Sequence, residues 1–159
     1  MEASVKDIAE FARLGIRFHV LPVSSIVTWA DHMIEAGDIP ANWLMDLATA
    51  KDGETADASL RQVPGEAQPR VPMNLFLALV RRLWSKGQLT IGQVRGIGWL
   101  LHCESALPTS KGQADWGVVL EVEGEGLDEG WCTEDSLRQS IDEKLSEYSE
   151  FDSTLPAWA

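Results

Sequence analysis

Residues 24–50 read SSIVTWADHMIEAGDIPANWLMDLATA, and their pattern decides the fold class. Ile26, Val27, Ala30, Met33 and Ile34 recur at steps of three and four, which puts them on one face of a helix. Ser24 or Ser25 is the expected cap, because a short hydroxyl accepts a bond from an unpaired N–H of the first turn. Gly37 follows the last apolar residue, where a left-handed backbone ends a helix and glycine adopts it without strain. Asp38-Ile39-Pro40 restarts the chain, and proline suits a first helical turn because its missing N–H is not needed there. Trp43, Leu44, Leu47 and Ala48 then make a second apolar face.

Working outward, residues 75–101 repeat this pattern weakly. Phe76, Leu77, Val80, Leu83, Trp84, Gly87, Leu89, Val94 and Ile97 align with Ile26, Val27, Ala30, Met33, Ile34, Gly37, Ile39, Leu44 and Leu47. Two similar hairpins in one helical core account for this more simply than a solenoid repeat, since two units are too few to stack. Towards the start, Ser4 and Asp7 form a weak capping box for a helix stopped at Gly15, with Val5, Ile8, Ala9 and Ala12 on its face. Residues 17–22 read as an extended connector. Residues 51–70 are polar, with a short helix over 56–63 stopped at Pro64-Gly65. Asn74 and Thr90 are the expected caps of the second pair. Gly92, Gly96 and Gly98 each weaken its last helix by roughly 1 kcal/mol relative to alanine, and close backbone packing is one reason to keep them.

Residues 108–112 form a break. Trp116, Val118, Leu120 and Val122 alternate as in a strand, yet no second strand exists to pair with them. Trp116, Val119, Leu120 and Glu123 also fit a helix face, and the helical reading is adopted. Residues 123–130, EGEGLDEG, read as a loop. Thr133 caps a final helix whose face is Leu137, Ile141, Leu145 and Tyr148, with Glu134 and Asp135 suited to the dipole of its first turn. Residues 152–159 are expected to be a loose tail. The sequence thus predicts one all-α domain of about six or seven helices built on two helix-turn-helix pairs, with residues 115–123 ambiguous between helix and strand. Its expected core is Val27, Ala30, Ile34, Leu44, Leu47, Phe76, Leu79, Val80, Leu83 and Leu101.

The chain has 159 residues and a net charge of −12. Residues 115–159 hold thirteen acidic and two basic side chains, so almost the whole excess lies there. Nucleic acid and anionic membrane both need a basic footprint, so neither is an expected partner. A basic protein is. The N-terminal residues lack a signal-peptide pattern, no apolar stretch reaches membrane-spanning length, and Cys103 and Cys132 lack metal spacing. A reduced, cytosolic protein is the plain reading; a Cys103–Cys132 disulfide is the alternative.

Chemistry is sparse. His19, His32 and His102 have no mutual spacing that suggests a metal site, and the consecutive residues His102-Cys103-Glu104 cannot converge on one ion from a helix. No nucleophile elbow, phosphate loop, zinc-protease or dinucleotide motif is present, so neither catalysis nor a cofactor is expected. Arg81-Arg82 with Lys86 is the one dense basic spot. It is most simply the wet face of its helix, and it could also dock against the acidic third.

Trp29-Ala30-Asp31, Ile34, Asp38, Pro40, Trp43-Leu44 and Asp46-Leu47-Ala48, with Leu60, Val63-Pro64-Gly65 and the helix over 75–84, resemble a pattern in small helical bacterial immunity proteins encoded beside polymorphic or contact-dependent toxins. The resemblance spans residues 22–103 and carries no catalytic motif. It implies a cytosolic protein that binds and blocks one cognate toxin. The charge adds that the toxin is basic, as nuclease domains with substrate clefts are. The expected contact residues are Asp115, Trp116, Glu121, Glu123, Glu125, Asp128, Glu129, Trp131, Glu134 and Asp135, with Trp116 and Trp131 as anchors unless they are core. The competing readings are a helix-turn-helix regulator, which would need base-reading side chains that Asn42, Asp46, Gln93 and Arg95 supply poorly, and a structural or adaptor protein.

Overall fold

The computed structural model describes residues 3–37, 41–68, 70–104 and 115–159, and among them every regular element is helical. Eight α-helices follow in order: α1 (Val5–Arg17), α2 (Val23–Glu35), α3 (Asn42–Ala48), α4 (Gly53–Arg61), α5 (Val71–Ser85), α6 (Ile91–Cys103), α7 (Trp116–Glu129) and α8 (Glu134–Ser146). A 3-10 turn at Ser149–Phe151 comes after them. The count exceeds the expected six or seven because the polar α4 and the acidic α7 both form complete helices. Among the described residues no helix is long and apolar enough to cross a membrane. The expected restart at Asp38-Ile39-Pro40 and the break at 108–112 lie outside the described residues.

Four helices begin with reciprocal caps. Ser4 and Asp7, Asp52 and Thr55, Thr90 and Gln93, and Thr133 and Ser136 each satisfy one another's backbone N–H groups. Two expected caps are elsewhere. Pro22, not Ser24 or Ser25, precedes α2, and no side chain caps it. Its ring fixes an extended approach and the helix starts without a hydroxyl. Asn74 lies inside α5. The chain reverses after α2 and α5 at Gly37 and Gly87, whose φ angles are 84° and 68°.

Gly15 does not stop α1. The helix runs through it to Arg17, and the glycine instead makes room for Leu21, whose Cδ1 lies 2.3 Å from where a Cβ would stand. Its carbonyl accepts the N–H groups of Val20 and Leu21 at 2.9 and 3.1 Å, so the connector expected to be extended folds back on the helix.

The chain divides into two compact units: residues 1–76 with 154–159, and residues 77–153. In the first, α4 packs on α1 and α3, and α3 on α2. Ala9, Ala12, Ile26, Ala30, Trp43, Leu44, Leu47, Ala56, Leu60 and Val63 form its core cluster. Asp7 is buried there and accepts the backbone N–H of Gln68 at 2.6 Å as well as that of Ser4 at 2.8 Å. Residues 154–159 belong to this unit and are not loose. Leu155 is buried, and Trp158 stacks on Trp29 with ring centroids 5.7 Å apart while touching Phe11 at 5.9 Å.

In the second unit α6 packs on α7 and α7 on α8. The second expected hairpin is therefore corrected: the main partner of α6 is α7, not α5. Leu79, Val80, Val94, Leu101, Leu120, Leu137, Ile141 and Leu145 are buried. Three expected core residues, Val27, Ile34 and Leu83, are only half-buried, whereas Leu75 and Leu77 are fully buried. On α2 the buried face is centred on Ile26 and Ala30, which leaves Val27 and Ile34 at its edges; α5 is buried from Leu75 through Val80 without a polar face, so a single apolar stripe ending at Leu83 misdescribes it. Arg81 pairs with Asp152, and Arg82 donates to the Asp152 carbonyl at 3.0 Å. The arginine pair thus docks on the acidic third rather than simply facing water.

Candidate protein-binding surface

The acidic segment is a helix because its glycines are filled from outside. Residues 123–130 were expected to be a loop, yet α7 continues to Glu129 and ends at Gly130 in a left-handed conformation. Trp131 N–H and Cys132 N–H both return to the Gly126 carbonyl, at 2.9 and 3.0 Å, which closes the helix end. Gly117 lies against Gly98 of α6, Gly124 lies under the Arg95 guanidinium, and Gly126 lies under the Trp131 ring. Side chains and backbone from neighbouring elements take the space that a Cβ would need. This contact offsets the usual cost of glycine in a helix.

The ten expected contact residues separate into two groups. Asp115 caps α7 by accepting Gly117 N–H at 2.9 Å and pairs with His102 Nδ1 at 2.8 Å. Trp116 is 6% exposed, its ring against Gly98, so one of the two expected anchors is core. Glu121 pairs with Arg95 at 3.2 Å. Glu123 is half-buried, with Oε2 shielded from water. Asp115, Trp116 and Glu121 serve the fold, and Glu123 is drawn partly into it without a hydrogen-bond partner for its shielded oxygen among the described residues.

The others face water. Trp131 is 60% exposed. Glu125, Asp128, Glu129 and Asp135 are exposed, and among the described residues none has a cationic partner. Glu134 is exposed and pairs with Arg138 one turn on, at 2.9 Å. Arg138 also lies 5.4 Å from the Trp84 ring centroid, and that indole donates to Asp142 at 2.7 Å.

Trp131 is held although it is exposed. One ring face covers Gly126, whose Cβ position lies 2.5 Å from the indole Cζ2. The indole N–H donates to Glu129 Oε2 at 3.0 Å. Val118, Val122, Glu125 and Glu129 lie at steps of four, three and four along α7, opposite the buried Trp116 and Leu120. Val122 is 49% exposed, one turn before Gly126. An exposed valine and a pinned indole thus lie side by side among carboxylates.

Sequence reasoning missed Trp99 and Leu100, which are 42% and 48% exposed on α6. The signal was present: Val94, Ile97 and Leu101 define the buried face of α6, and Trp99-Leu100 fall off it. Trp99 lies on one stripe with Arg95 and His102, which bond to Glu121 of α7 and to its N-cap Asp115, and its ring lies 5.5 Å from that of His102. Trp99, Leu100, Val122 and Trp131 are four of the six large apolar residues exposed among those described, and all four belong to the second unit; Val5 and Met45 belong to the first. Exposed apolar area with a charged rim, as at Val122 and Trp131, is the composition of a protein-binding patch.

Both cysteines are free thiols, and among the described residues no three side chains gather as a metal site. Compared with known proteins, the chain matches no protein-family model, no curated protein and no solved structure.

Proposed function

We propose that this chain is an immunity protein that binds a cognate bacterial toxin with a basic, nuclease-like domain and blocks it through the acidic outer face of α7. The observation that carries this reading is the presence of exposed Val122 and Trp131 together with Glu125, Asp128 and Glu129, carboxylates without a cationic partner among the described residues, on one helix and its cap. Unpaired acids steer a cationic partner and set its orientation, and a fixed indole supplies affinity once water is excluded. The charge asymmetry supports the same reading: −11 of the net −12 falls within residues 115–159. Residues 22–103, which carry the resemblance to immunity proteins, would then serve as the scaffold.

The test is co-expression with the toxin domain encoded next to the gene in its source organism. Full-length protein should restore growth and co-purify with that domain. Growth arrest that the protein does not relieve, with no complex on size exclusion, would remove the proposal.

A further inference from the structure

We propose that the outward face of the Trp131 ring, with Glu129, Glu125 and Val122 beside it, is a cradle for one arginine side chain of a protein partner. The inference rests on the reading of the chain as a binder of a basic protein, and it names the chemical group recognised.

Three constraints fix the indole before any partner arrives. Its inner face lies on Gly126, its N–H is tied to Glu129 at 3.0 Å, and its own backbone N–H closes the end of α7 at 2.9 Å. A side chain with 60% of its surface in water ordinarily samples several rotamers; this one loses little freedom on binding. The ring presents a flat π face. Glu129, bonded to the indole edge, has a second carboxylate oxygen to offer, and Glu125 lies one turn before it on the same stripe. Neither acid has a cationic partner among the described residues.

A flat negative face beside carboxylates is complementary to a guanidinium. That group stacks on an indole while its N–H fork reaches an adjacent carboxylate. An ammonium feels the same charge but can neither stack flat nor fork. The long methylene stem of an arginine would cover Val122. Trp84 shows the same chemistry inside the molecule, where Arg138 lies over the ring and pairs with Glu134.

The experiment titrates the full chain with a tetra-arginine peptide and, separately, with a tetra-lysine peptide of equal charge. The indole N–H resonance of Trp131, assigned by its loss in W131F, is followed by NMR. The arginine peptide should shift that resonance saturably and bind about two- to five-fold more tightly than the lysine peptide. W131A, followed by the backbone amide resonances of Glu125 and Glu129 because it lacks the indole, should abolish the preference and leave a weaker, salt-sensitive attraction common to both peptides. G126A should do the same by unseating the ring, while its alanine favours the helix; a circular dichroism spectrum confirms that the variant is folded. Equal affinities for the two peptides, or a preference that survives W131A, would overturn the cradle. Growth rescue unaffected by W131A would likewise overturn it while leaving toxin neutralisation standing. A Trp131-dependent arginine preference without any growth rescue would keep the cradle and remove the toxin.

Discussion

Gly98 and Gly117 touch backbone to backbone where α6 crosses α7. A Cβ on Gly117 would stand 2.2 Å from the Gly98 carbonyl oxygen, and one on Gly98 would stand 2.6 Å from the Trp116 ring. Neither can be accommodated by a rotamer change at Gly117, because the obstacle there is backbone. Gly117→Ala should therefore cost about 1–3 kcal/mol, the usual range for overpacking. Gly96→Ala, two residues from Gly98 and with nothing within 4 Å of its Cβ position, should instead stabilise by up to about 1 kcal/mol. Urea midpoints of the two variants should move in opposite directions; two equal losses would mean the crossing is not close.

Burial separates residues that periodicity groups together. Leu79 is 1% exposed, whereas Leu83, one turn later on α5, is only half-buried. Leu79→Ala should cost about 2–5 kcal/mol. Leu83→Ala should cost clearly less, because less apolar area leaves water in the native state. Thermal melts of the pair provide the check, and equal losses would contradict the assigned burial.

Asp7 links stability to pH. Burial pushes its carboxyl up, but hydrogen bonds from Ser4 and Gln68 together outweigh this and hold it below the usual value of 3.8. A depressed native value means that the unfolded chain takes the proton first. The contribution of the charge is therefore complete above pH 3.8 and disappears as pH falls through the lower native value. Asp7→Ala should cost about 1–3 kcal/mol near neutrality, since it strands buried donors. The gap between wild type and variant should narrow in acid. A gap constant from neutral pH to pH 2 would show that the carboxylate charge plays no part.

Charge reversal is informative only at acids the fold does not use. Reversing Glu121 would confront Arg95, and reversing Glu123 would place a cation where Oε2 is shielded from water, so both would mix folding with binding. The clean set is Glu125, Asp128 and Glu129 changed to lysine. With the cognate toxin in hand, this triple variant should slow association by about ten-fold or more at low salt and flatten its salt dependence. W131A should act mainly on the dissociation rate. Stopped-flow mixing at two ionic strengths separates the two effects. An association rate indifferent to the triple reversal would move the interface elsewhere.

Much of the fold was legible because capping and apolar periodicity are local. Ser4 with Asp7, Thr90 and Thr133 mark helix starts in the residues themselves, and Trp43, Leu44 and Leu47 mark a buried face. What escaped was set by distant partners. Gly15 looks like a stop until Leu21 fills it. Residues 123–130 look like a loop until Arg95 and Trp131 cover Gly124 and Gly126. The candidate surface was half legible. Charge located the acids, but composition cannot tell Trp116, turned onto Gly98, from Trp131, lying on its own helix cap. Trp99 and Leu100 required a single inward face to be chosen for α6, and the glycines along it obscure that choice.

The contact of Trp158 with Phe11 and Trp29 has a consequence for the order in which the protein is made. The first unit cannot complete its aromatic stack until Trp158 has been made, after every residue of the second unit. At about 5–20 residues per second, α1 and α2 wait roughly 4–16 s between the synthesis of Phe76 and that of Trp158. During that interval Phe11 and Trp29 lack the ring that packs on them. A released chain ending at Ser153 should be digested by protease within residues 1–76 while residues 77–153 survive.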